Sequence, residues 1–107
     1  MEVRYYRTEA GQRPFEEWRT NQDGIVRAKI AVALKKIENG NLSSAKSVGG
    51  GVLEFRIDFG PGYRLYFGRD GDVLVIMLGG GDKRRQQRDI NEAIKLWGAY
   101  RRDKRRP

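Results

Sequence analysis

VLEFRIDFGPGYRLYF, Val52 to Phe67, is the part of the chain that commits it to a sheet. Leu53, Phe55, Ile57 and Phe59 alternate with Glu54, Arg56 and Asp58, the period of two that a half-buried strand requires. Gly60-Pro61-Gly62 turns the chain, and Tyr63, Leu65 and Phe67 then alternate with Arg64 and Tyr66. Laying the two apolar faces together puts Glu54, Arg56, Arg64 and Tyr66 on the second face of the hairpin. Two readings of that face stay open: a solvated surface, or cations and rings displayed to a phosphate-bearing partner.

The flanks extend the sheet. Arg69-Asp70-Gly71-Asp72 reads as an Asp-Gly turn. Val73 to Leu78 is apolar on both faces and is expected as the most central strand. Gly79-Gly80-Gly81-Asp82 is expected to stop it, with Asp82 capping a last helix whose stripe is Ile90, Ala93, Ile94 and Trp97. Gly98 weakens that helix; residues 98–107 read as a basic tail, frayed from Arg101. Upstream, Glu2 to Thr8 reads as a strand. Pro14 opens a short helix containing Phe15 and Trp18. Asp23 caps a second helix, with Val26, Ile30, Ala33, Leu34 and Ile37 on one stripe, and Gly40 ends it. Asn41 to Gly51 reads as a loop. The expected fold is therefore α+β in the order β-α-α-β-β-β-α: an N-terminal strand and helical hairpin, then a three-stranded antiparallel meander and a C-terminal helix, in one domain over residues 1–107.

Composition removes several chemistries. The chain has no cysteine and no histidine. Disulfides, thiolates and every histidine-based nucleophile system are excluded, and cofactors and metals are expected to be none. No segment reads as a signal peptide, and Val73–Leu78 is too short to span a bilayer, so a cytoplasmic protein is expected. The formal charge is +8, and residues 82–107 hold ten Lys and Arg against four Asp and Glu. Such a field favours phosphate backbones or acidic protein surfaces; a solubilising tail is the bland alternative.

With Lys83 delivered to the rim, the second face can gather Arg56, Arg64, Tyr66, Glu54 and Lys83. RNA can be cut without metal or histidine when the ribose 2′-hydroxyl attacks its own phosphate and fixed cations stabilise the charge on the phosphoryl oxygens. Tyrosine rings can stack on a splayed base. The candidates for proton transfer are Glu54, Tyr63 and Lys83, although Tyr63 shares the apolar parity and reads equally as a core edge. Tyr66, Arg84, Arg85 and Arg88 are the candidate RNA-binding residues. Lys83, Arg84 and Arg85 stand at a helix N-terminus, where cations are unfavourable, which points to a counter-anion.

LEFRIDFGPGYRLYF (Leu53–Phe67) followed by GGGDKRRQQRDINEAIKLW (Gly79–Trp97), with PFEEW (Pro14–Trp18) and AKIAVALKKIENGN (Ala28–Asn41), resembles the RelE/ParE toxin superfamily. Within it, the chain is most similar to the HigB-like group of addiction-module killer proteins, from Tyr5 to about Trp97. The resemblance implies a RelE-like toxin of a bacterial type II toxin–antitoxin pair that cleaves mRNA on the ribosome. It implies a cognate antitoxin, often of helix-turn-helix type, through which alone operator DNA is reached. It places Arg64 on the scissile phosphate, Arg56 and Lys83 at basic positions, and Tyr63 in the matching Gly-Tyr-Arg step. Glu54 departs from it, standing where RelE has a basic residue; Arg84 and Arg85 replace small residues. A ParE-like gyrase inhibitor that leaves RNA uncut, and an inactive basic phage-derived module, are the alternatives.

Overall fold

Five strands and three helices account for the chain in the computed structural model, which describes residues 1–104. The strands are β1 (Glu2–Tyr5), β2 (Lys46–Gly49), β3 (Val52–Ile57), β4 (Tyr63–Asp70) and β5 (Leu74–Asp82). The helices are α1 (Pro14–Thr20), α2 (Gly24–Glu38) and α3 (Gln86–Lys104), with one 3-10 turn, Lys83–Arg85, before α3. The strands form one sheet in the order β1-β5-β4-β3-β2.

The α+β class and the antiparallel β3-β4-β5 meander agree with expectation. Four features differ. First, the sheet is mixed, because β1 runs parallel to β5. Alternation along a strand specifies its faces but not its neighbour; β5, apolar on both faces, takes β1 and β4 as its two flanks. It is interior, but β4 is the central strand. Second, Lys46–Gly49 is an edge strand rather than loop, paired to β3 across a bulge. Its single apolar residue, Val48, leaves no alternation to read. Third, β5 continues through Gly79–Gly81 to Asp82. Asp82 accepts from the Arg84 N–H at 2.9 Å and so caps the 3-10 turn rather than an α-helix.

Fourth, both faces of the sheet are covered. On one face, Phe15, Val26, Ile30 and Ile37 of α1 and α2 bury Phe55, Leu65, Phe67, Val75 and Met77. On the other, Ile90, Ala93, Leu96 and Trp97 of α3 bury Val52, Tyr66, Ile76 and Leu78. Glycine makes that second contact possible: a β-carbon on Gly68 in β4 would stand 2.5 Å from the Trp97 ring. The end of α3 does not fray over its described length. Tyr100 Oη donates to Asp70 at 2.5 Å, Lys104 pairs with the same carboxylate, and Tyr100 stacks on Trp97. The rest of the expected tail, 105–107, lies outside the described residues.

The helix starts follow their local chemistry. Pro14 is the first residue of α1, and Asp23 accepts from the Val26 N–H at 3.1 Å to cap α2. Gly40, at φ +77°, takes the chain away from α2 in a conformation that favours glycine. Among the described residues, no helix is long and apolar enough to cross a membrane.

Candidate functional site

The register fixes the site's geometry. Arg56 in β3 lies directly opposite Arg64 in β4, and Glu54 opposite Tyr66, so all four share the α3 face. Arg64 in turn lies opposite Gly81 of β5, so Lys83 follows just past the end of this row. The side chains do not share one environment. Arg56 is exposed and pairs with Asp58 at 2.9 Å. Arg64 is only 5% exposed and Glu54 only 2%.

That burial corrects the expectation that Arg64 faces solvent. Its Nε lies 3.7 Å from Glu54 Oε1 but makes no hydrogen bond among the described residues, and its Nη1 donates to the Gly62 carbonyl at 3.4 Å. Glu54 is held more firmly: Gln86 Nε2 donates to it at 3.1 Å, and Lys46 Nζ stands 3.8 Å away. An ion pair covered by α3 offers little surface to a phosphate or to a 2′-hydroxyl. Glu54 and Arg64 are therefore a buried pair, with little of either side chain open to solvent.

Tyr66 is corrected as well. It is fully buried under α3, so its ring cannot stack on a base. Burial, with the nearby Glu54 and Asp89 charges, pushes its phenol far above the ordinary tyrosine range. Its hydroxyl has no hydrogen-bond partner among the described residues. Tyr63 sits on the opposite face, half-buried against the α1/α2 core, which is the core-edge alternative of its parity. It is not brought together with Arg56 and Arg64.

What remains accessible is a cationic end to the sheet. Lys83, Arg84, Arg85 and Arg88 are all exposed. Asp82 occupies Arg84, at 2.8 Å, and that hydrogen bond holds the Asp82 carboxyl below the usual carboxylate range. Lys83, Arg85 and Arg88 make no ion pair among the described residues. Arg84, Arg85 and Arg88 border a cleft of about 620 Å³, closed by Trp18 on one side and floored by Gly80, Gly81 and Asp89. Composition did not mark Trp18 or Asp89. The signal that could have marked Trp18 is the glycine run: a β-carbon on Gly80 would stand 2.3 Å from the Trp18 ring, so the indole needs a glycine beneath it. Lys46 and Gln86 were also missed, because neither lies on the hairpin that carries Glu54. Among the described residues no three His, Cys, Asp or Glu side chains gather where they could hold a metal ion.

Residues 17–97 match the family model described as "Phage derived protein Gp49-like (DUF891)". That span includes the hairpin, the cationic turn and most of α3. A protein of Haemophilus influenzae, named only "Uncharacterized protein", is 42% identical over 80 residues, covering 74% of this chain and 81% of its own length.

Proposed function

The chain belongs to the phage-derived Gp49-like family, and from that premise we propose that it is the toxin of a bacterial toxin–antitoxin pair, cutting messenger RNA on the translating ribosome. The observation that carries this reading is the like-charge pair across β3 and β4. Arg56 and Arg64 stand directly opposite each other, an arrangement that is unfavourable unless an anion offsets it. Glu54 answers Arg64 from within, while Arg56 pairs with the exposed Asp58. Lys83, Arg85 and Arg88, with no ion pair among the described residues, add cations just past the same end of the sheet.

In this reading the RNA supplies its own nucleophile. The ribose 2′-hydroxyl attacks the adjacent phosphorus, the bond from phosphorus to the 5′ oxygen breaks, and a 2′,3′-cyclic phosphate remains. The hydroxyl proton passes to solvent, and solvent protonates the departing 5′ oxygen. Arg56 and Lys83 are the exposed groups placed to stabilise charge on the phosphoryl oxygens, and loss of one such donor costs about 10²–10³-fold in rate. Arg64 acts through Glu54 and the strand pairing, as a positioning residue. Arg85 and Arg88 hold the neighbouring backbone.

The partner in this reading is an antitoxin whose gene adjoins the toxin's, through which operator DNA is reached, and both act in the cytoplasm. Purified protein added to a translating extract tests the reading. Discrete cuts in a defined mRNA support it. Intact mRNA together with blocked supercoiling of relaxed plasmid by gyrase would replace it with the gyrase-directed alternative.

A further inference from the structure

The cleft between α1 and the start of α3 has a wall that the proposed cleavage does not use. Trp18, half-buried, lies over Gly80 and lines it. Arg85 and Arg88 stand at its rim without ion pairs among the described residues. Asp89, at its floor, is half-buried with its carboxylate against Gly81, and it makes neither a hydrogen bond nor an ion pair among the described residues. Burial raises its carboxyl above the usual carboxylate range, opposed by the Arg88 and Arg85 charges. A partly withdrawn carboxylate with no donor is unfavourable until something donates to it.

These groups form a set. An indole stacks on any base. Guanidinium groups pair with phosphate oxygens. An ionised carboxylate only accepts hydrogen bonds, so it selects a base edge with adjacent donors. Guanine, with N1–H beside its 2-amino group, presents two donors side by side; uracil, adenine and cytosine do not. The volume, about 620 Å³, lies in the range of small-ligand sites.

We propose that this cleft takes one unpaired guanosine nucleotide of the RNA, its base on Trp18, its N1–H and amino edge on Asp89, and its phosphate on Arg85 and Arg88. The inference rests on the RNA-directed reading above and assigns that reading a base preference. Tyr66 is fully buried and does not line the cleft.

The test titrates the whole chain with 5′-GMP, 5′-UMP and inorganic phosphate, following the indole N–H resonances of the two tryptophans. Trp18→Phe identifies which resonance is which. Saturable movement of the Trp18 signal by 5′-GMP, about tenfold tighter than by 5′-UMP, is expected, since one good bidentate base contact discriminates against the wrong base. Asp89→Asn should erase the preference while leaving phosphate binding in place. Equal affinities for all three probes, or movement of the Trp97 signal alone, would overturn the proposal. Cleavage of mRNA by wild-type protein that shows no guanosine preference sinks this inference alone. A guanosine preference in a protein that leaves mRNA intact upholds the cleft and sinks the endonuclease reading instead.

Discussion

Replacing Glu54 by Gln should destabilise the protein more than replacing Arg64 by Met. Both residues are almost wholly buried, and removing one partner of a buried pair ordinarily costs about 3–5 kcal/mol because the other charge is stranded. The two losses are unequal here. Without Arg64, Glu54 keeps the Gln86 donor at 3.1 Å and the Lys46 ammonium at 3.8 Å. A stranded carboxylate can also take up a proton, whereas a stranded guanidinium cannot lose one. Without the Glu54 charge, Arg64 keeps, among the described residues, the Gly62 carbonyl at 3.4 Å. The pair is loose, 3.7 Å with no hydrogen bond at Nε, which places Glu54→Gln at the lower end of the range, about 3 kcal/mol. Arg64→Met, which also relieves the burial of a guanidinium, should cost less than Glu54→Gln. Urea unfolding of the three proteins, compared at equal m, measures both. An Arg64→Met penalty larger than that of Glu54→Gln would refute the assignment of Glu54 as the better-anchored partner.

Other outcomes follow from single contacts. Tyr66→Phe removes a buried hydroxyl with no hydrogen-bond partner; it should leave stability unchanged or raise it by about 1 kcal/mol, with RNA cleavage intact, and a folded but inactive variant would restore Tyr66 to the site. Gly80→Ala should cost about 1–3 kcal/mol in thermal or urea unfolding, because its methyl would drive into the Trp18 ring; an unchanged melt would mean that the indole is not seated there. Tyr100, partly buried and donating to Asp70, has its phenol pushed up to about 12, above the ordinary tyrosine range. A raised folded value means its stabilising contribution is complete below about pH 10 and is lost as pH rises through about 12, which a phenolate absorbance titration alongside alkaline unfolding should show. Asp70 is shifted the other way, by the hydrogen bonds from Lys104 and Tyr100. Its contribution is present above the ordinary carboxylate range and is lost as pH falls through its lowered value, so the last turn of α3 should loosen on acidification below that range, as read by hydrogen exchange.

The hairpin was legible because alternation encodes faces directly. Arg56, Arg64, Glu54 and Tyr66 do share a face, as their spacing says. What alternation cannot encode is what covers that face. The polar spacing of Glu54, Arg56 and Arg64 reads as open surface, yet Trp97 against Gly68 brings α3 down over most of it, so only Arg56 stays exposed. The edge strand β2 was invisible because Lys-Ser-Val-Gly carries a single apolar side chain and so no alternation to read. The parallel pairing of β1 was invisible because a strand's sequence does not name its neighbour. Leu96, off the expected stripe, is buried because α3 meets the sheet across a wider arc than one row of side chains. The cationic turn was legible from charge, but the cleft beside it required knowing that Trp18 and Gly80, far apart in the chain, meet.

The most direct measurement maps the ends of a defined mRNA in a translating extract that receives wild-type protein or the Arg56→Ala/Lys83→Ala double variant. Arg56 and Lys83 are both exposed, so the variant should keep the wild-type melting curve. The account requires discrete new ends with the wild-type protein and none with the variant. Intact mRNA in the wild-type reaction, or the same cuts at the same rate in the variant, would contradict it.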